Sequence, residues 1–332
     1  MPVMATPARP VSCPVPFTVF RRIDAVRRRA WLPLLLAALL VLPAFSAWAG
    51  KLAVVDDRGR HITLTQVPQR IVSLLPSSTE AVCALGACDR LVGVDRFSDW
   101  PPEVRTLPQV GDLEDARLER IVALRPDLVL AGAFARASDR LESLGIPVLV
   151  VEAHRLDDIG RVLTVIATAL GVPDQGERLW QSLNERIDRA VAEVPPAWHG
   201  ARVYFEVAPG PFAASDASYI GQLISRLGLV NVVPASYGAF PKINPEFVVR
   251  AQPDLIIASQ RDFRTMPARP GWDQLDALRH RRVCRYDENF FDALLRPGPR
   301  IGEAADAIVT CLVTLDSGSP GAVPEVRPQE NR

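Results

Sequence analysis

Short apolar runs alternate with amphipathic stretches along most of the chain. Runs of strand type fall at 71–75, 91–94, 128–130 and 148–151. Helical periodicity follows Pro76 as far as Gly86 and recurs at 118–124, at 138–144 (closed by Gly145) and at 156–170 (closed by Gly171). The same alternation returns later, with strands at 203–207, 255–258 and 283–286 and helices at 219–227, 247–251, 272–278 and 300–315. Strands alternating with helices predict a mostly parallel sheet covered by helices. Ser78 or Thr79 is expected to cap the helix after Pro76, with Glu80 favourable near its N-terminus.

A different pattern separates the two series. Leu179, Leu183, Ile187, Val191 and Val194 form one stripe at helical spacing. Glu185 and Arg189 make a favourable i,i+4 pair, and Pro195-Pro196 stop the helix. About 20 residues make a rod of about 30 Å. An internal repeat frames it. Leu118-Glu119 is followed by Pro126-Asp127 and an apolar run, and Pro245-Glu246 by Pro253-Asp254 and another. The pattern is read as an α/β fold of two Rossmann-like lobes, 50–172 and 197–315, joined by a single long helix at 173–196, with a ligand cleft between the lobes. An ordinary surface helix of one larger domain is the competing reading of the rod.

Charge changes the picture at the head of the chain. Residues 1–49 hold six Arg against Asp24 alone, so the balance of this electrically neutral chain is mildly acidic. Arg27-Arg28-Arg29 precede an apolar run at 31–45, and Ala47-Trp48-Ala49 supply small residues for cleavage. This is the pattern of a secretory signal peptide at 1–49, cleaved after Ala49, which sends the protein to the periplasm. The run is shorter than the ~20 residues a spanning helix needs. Residues 316–332, rich in Pro, Gly and charge, read as a disordered tail. No basic stripe suggests nucleic acid. Export makes disulfides possible. Proximity favours Cys83 with Cys88 and Cys284 with Cys311, and free buried thiols are the equal alternative.

Motifs for catalysis are missing: there is no G-x-S-x-G, phosphate loop, dinucleotide fingerprint or H-E-x-x-H. The four His are scattered without ligand spacing, so no metal site and no cofactor is expected. His154 alone follows a strand end, where α/β sheets bind ligands. The loops after the strands are more telling. They carry Pro76, Phe97, Trp100 and Phe134 in the first half, and Phe212, Phe240, Lys242, Phe290 and Phe291 in the second. Each aromatic residue alone suits a core. As a series they suggest an aromatic cleft for a large, partly apolar ligand. Lys242 is one of two Lys in the chain and could hold an anionic substituent.

Arg70-Ile-Val-Ser-Leu-Leu-Pro76-Ser-Ser-Thr79-Glu80, with Phe97-Ser98-Asp99-Trp100-Pro101-Pro102 and the 118–129 segment, carries a specific resemblance. It resembles the periplasmic substrate-binding proteins of ABC importers that take cobalamin, ferric siderophores and haem, above all the cobalamin branch. The resemblance spans about 68–315 and is densest at 70–131. It implies a monomeric receptor that catalyses nothing and passes a cobalamin-like ligand to a permease dimer. A ferric siderophore or haem receptor is the alternative within the family; an exported enzyme or metal chaperone is the alternative outside it. Pro76 and Phe97 match positions that face the corrin ring in that branch. Leu113 stands where it has a tryptophan, Phe240 replaces another, and the Phe290-Phe291 loop differs. Glu119 and Glu246 match glutamates that dock onto permease arginines.

Overall fold

A computed structural model describes residues 52–318. The expected signal peptide with its cleavage point, and all but the first residues of the expected tail, lie outside that range. The described chain opens with an antiparallel hairpin, β1 (Leu52–Val55) and β2 (His61–Leu64). Then come β3 (Ile71–Ser73), α1 (Pro76–Ala84), β4 (Leu91–Val94), α2 (Leu118–Ala123), β5 (Leu128–Ala131), α3 (Ser138–Ser143), β6 (Val148–Val150) and α4 (Leu156–Ala169). The four strands β3–β6 form a parallel sheet in the order β4-β3-β5-β6. Strands β3, β5 and β6 are buried along their whole length. Helices on both faces of a parallel sheet require such continuous apolar runs.

Helix α5 (Pro173–Glu193) follows. Its Pro at the first turn has no N–H to lose there. Leu183, Ile187 and Ala190 are buried, and the helix packs on α4 and on the last helix. Two glycines allow the close approach to α4: a Cβ on Gly160 would stand 2.6 Å from the Trp180 ring, and one on Gly176 2.7 Å from Thr164 Cα.

The second series runs β7 (Arg202–Ala208), β8 (Phe212–Ala213), α6 (Tyr219–Arg226), β9 (Val230–Asn231), α7 (Pro245–Ala251), β10 (Leu255–Ser259), α8 (Gln260–Thr265), α9 (Asp276–Arg279), β11 (Val283–Tyr286), α10 (Glu288–Leu294) and α11 (Ile301–Asp316). Here β7 pairs in parallel with β10 and β9, β10 with β11, and β8 adds an antiparallel edge to β7. The β9-β7-β10-β11 path repeats the β4-β3-β5-β6 path of the first sheet.

The Pro-Asp repeat has the same structural job in each sheet. Asp127 accepts hydrogen bonds from the backbone N–H of Gln69 and Arg70 at the entry to β3. Asp254 accepts one from Arg202 at the entry to β7. Each Pro follows a non-glycine residue with positive φ, Arg125 at 47° and Gln252 at 42°, so both helices end in the same left-handed turn before the central strand. Two disulfides join Cys83 to Cys88 and Cys284 to Cys311. No described helix is long and apolar enough to cross a membrane.

Four local expectations need correction. The helix after β3 starts at Pro76 itself, with Leu75 as its uncapped entry residue, because Pro already occupies the first turn. Ser78 and Thr79 therefore lie inside the helix; Thr79 Oγ1 bonds to Leu75 O and Ser98 Oγ instead. Glu80 turns into the interior and pairs with Arg296. The expected helix at 272–278 is a 3-10 turn at Trp272–Gln274 followed by α9, with Trp272 fully buried. The expected loop around Phe290 and Phe291 is helix α10, capped by Asp287, whose side chain accepts from Phe290 N.

Candidate functional site

The carboxyl ends of parallel strands converge on two adjoining cavities. Open α/β sheets bind ligands at this edge because loops and helix N-termini gather there. The larger, about 480 Å³, lies between the two series. The first series supplies Leu75 after β3, Gly132–Phe134 after β5 and Val151–His154 after β6. The second supplies Val207 from β7, Tyr219 at the start of α6, Phe240, Leu295 and Pro297. The smaller, about 320 Å³, is built from Leu74–Pro76, Asp95–Phe97 and Asp112–Glu114. Leu75 and Leu113 line both and form the partition. Both volumes fall in the ordinary range for small-molecule sites.

The walls are mostly apolar, and several of their polar groups are tied down. Phe240 meets Tyr219 edge-on at 5.9 Å. The Tyr219 hydroxyl donates to Leu295 O, and burial pushes its pKa well up, so it stays protonated. Phe134 is 78% exposed and Phe97 54% exposed, the largest apolar surfaces of the site in contact with solvent. Asp95 is buried under the Phe97 loop and accepts from Phe97 N and Ser98 Oγ. Burial raises its pKa, opposed mainly by the bond from Ser98. The His154 ring is mostly exposed, with Nε2 3.3 Å from Glu152 Oε1. Its loop is held by Asp158, which accepts from the backbone of His154 and Arg155.

The two series also touch directly. Leu156 N at the start of α4 donates to Gln222 Oε1 on α6 at 2.8 Å. Arg296 reaches from the second series to Glu80, Asp99 and Phe97 O in the first.

The structure brings together some expected residues and separates others. Pro76 and Phe97 line the smaller cavity and Phe240 the larger. Trp100 lies under the Arg300 guanidinium, 4.6 Å from it, and lines neither. Phe212 and Lys242 pair with each other across an isolated bridge, Nζ 6.0 Å from the ring centroid, and line neither cavity. Phe290 packs on Tyr286. Phe291 is core rather than cleft: it is 2% exposed and stacks on Phe205 at 5.6 Å. Sequence reasoning missed Val207, Tyr219, Leu295 and Pro297, which read as ordinary strand, helix and loop residues. Glu119 and Glu246 are exposed in the first turns of α2 and α7. Among the described residues, no group of three His, Cys, Asp or Glu side chains could hold a metal ion.

Two parallel α/β sheets whose strand ends share an apolar cavity define a two-lobed ligand-binding protein. The chain belongs to the periplasmic binding protein family, whose model matches residues 71–290. It is 33% identical over 262 residues to a vitamin B12-binding protein of Pectobacterium carotovorum, covering 77% of this chain and 92% of that one. It is 28% identical to an uncharacterized ABC transporter substrate-binding lipoprotein, YvrC, of Bacillus subtilis, covering 76% and 82%. Among solved structures it is similar to the periplasmic heme-binding protein RhuT of Roseiflexus sp. RS-1 in apo form. That match has a TM-score of 0.64 and 28% identity and covers 74% of this chain and 97% of that one.

Proposed function

We propose that this protein is a periplasmic receptor that binds a cobalamin-like ligand and delivers it to an inner-membrane ABC importer, without altering it chemically. One observation carries the reading: aromatic and aliphatic side chains from both sheets, Phe134, Tyr219 and Phe240 among them, face one cavity that adjoins a second under Pro76 and Phe97. A flat, partly apolar ring bearing polar substituents fits such walls. The B12-binding name of a relative matched over most of both chains supports it. Residues 1–49 direct export and are removed after Ala49. Lobes 50–172 and 197–315 turn about the rod at 173–196, and the receptor acts as a monomer. Glu119 and Glu246 dock on the permease dimer. Each precedes a central strand through the same left-handed turn, so the two carboxylates occupy equivalent places in the two lobes.

Absorbance titration with cyanocobalamin tests the reading. Saturable binding of one ligand per chain supports it; no spectral change at high ligand excess refutes it. A second reading has one observation in its favour. His154 lines the larger cavity, its ring mostly exposed beside Glu152, so a haem iron could take it as a ligand. A shifted Soret band with haemin, lost in His154→Ala, would establish that reading instead.

A further inference from the structure

The charges around the cavities constrain the periphery of the ligand. Among the described residues lining them, four carboxylates, Asp95, Asp112, Glu114 and Glu152, face a single fixed positive charge, Arg96. Arg96 is already engaged: its guanidinium pairs with Asp112 and lies 4.8 Å from the Phe97 centroid. Arg296, beside the wall, is held by Glu80 and Asp99. His154 stands against Glu152. Lys242 lines neither cavity. The one fixed cation on these walls already pairs with Asp112, so a ligand carboxylate would have to compete for it.

A second observation points the same way. Ser78 lines the larger cavity from the first turn of α1. It is 1% exposed, and its Oγ has no hydrogen-bond partner. A buried hydroxyl without a partner is costly, and a ligand group can satisfy it. An amide can do so as donor or acceptor, and amide N–H groups can also donate to the carboxylate rim.

We infer that the cavity pair selects an uncharged, amide-bearing ligand periphery over a carboxylate-bearing one, with Ser78 bonding an amide and Glu114 and Glu152 repelling anions. The inference rests on the corrinoid reading above and specifies which corrinoids the site accepts. Like charges brought together in a partly desolvated site weaken binding, and rejection of the wrong ligand is as much a part of specificity as attraction of the right one.

The test compares dicyanocobyrinic acid with its heptaamide, the same ring bearing carboxylates or amides, by calorimetry at low salt. The heptaamide should bind at least about tenfold more tightly. The gap should narrow in the Glu114→Gln, Glu152→Gln double variant and on raising the salt. Ser78→Ala should weaken the heptaamide about fivefold. Equal affinity for the two compounds in the wild type would overturn charge selection and leave the corrinoid reading standing. An unchanged gap in the double variant would overturn the assignment to Glu114 and Glu152. Failure of both compounds together with tight haemin binding would instead overturn the corrinoid reading itself.

Discussion

Arg296 Nη1 lies 2.8 Å from Glu80 Oε1, joining two residues 216 positions apart. The same guanidinium bonds Asp99 Oδ1 at 2.7 Å and Phe97 O at 3.0 Å. One side chain of the second series thus fixes α1 and the Phe97 loop of the first, at the edge of the cavities. Glu80 is buried, its side chain at 2% exposure, and Arg296 is mostly covered at 11%. Their attraction offsets a desolvation cost that each would carry alone.

Removing one partner of such a pair is more damaging than removing both. Arg296→Met should destabilise the protein by about 3–5 kcal/mol, because Glu80 keeps its burial and loses its counter-charge. Urea unfolding measures the loss. A variant as stable as wild type would mean that the cluster is far wetter than its burial indicates.

The carboxyl of Glu80 also predicts a pH dependence. Burial pushes its pKa above the ordinary 4.5, and Arg296 opposes that rise without cancelling it. Its Oε2 is buried without a hydrogen-bond partner. Stability associated with the protonated acid is complete below pH 4.5 and is lost as pH rises through the raised folded value. Glu80→Gln mimics the protonated acid. Its melting temperature relative to wild type should therefore climb across that window, and a difference independent of pH would contradict the assignment.

Phe97 and Phe240 come from different sheets and line adjoining cavities. Both are partly exposed, at 54% and 40%, so truncation should leave the fold intact. Phe97→Ala and Phe240→Ala should each weaken cyanocobalamin by about 1–3 kcal/mol, or about 5- to 150-fold. Calorimetry on the folded variants reads the effect. Two variants with wild-type affinity would place the ligand elsewhere.

How far the sequence foretold this arrangement depended on how local each signal was. The Pro126-Asp127 and Pro253-Asp254 repeat revealed the duplication because the short pattern itself recurs, although each Asp bonds a strand entry 57 or 52 positions away. Strand and helix order followed from periodicity, which is a local signal. The β1–β2 hairpin was missed because each strand has only four residues and most of them are not buried. Helix α10 was missed although Asp287, its cap, was visible; the Phe290-Phe291 pair drew attention as a cleft motif, while Phe291 packs on Phe205 from a distant strand. Glu80 read as a helix-start acid because its partner, Arg296, is brought to it only by the tertiary fold.

Glu119 and Glu246 are surface acids, exposed in short helices. As helix-start charges they would contribute about 0.3–1 kcal/mol each. As the proposed docking anchors they would act as a pair, since two contacts at fixed separation reinforce each other. Glu119→Ala with Glu246→Ala should leave ligand affinity nearly unchanged and sharply reduce both uptake and association with the permease. Either change alone should be milder. Normal uptake by the double variant would reduce both residues to helix-start charges.

The central claim is that one cobalamin-like ligand occupies the cavities shared by the two sheets. Calorimetric titration of the protein with cyanocobalamin, beside the Phe97→Ala, Phe240→Ala double variant, tests it most directly. The account predicts saturable binding of one ligand per chain in the wild type and a loss of at least about tenfold in the double variant. Tight binding that the double variant retains in full, or no binding of cyanocobalamin at all, would contradict it.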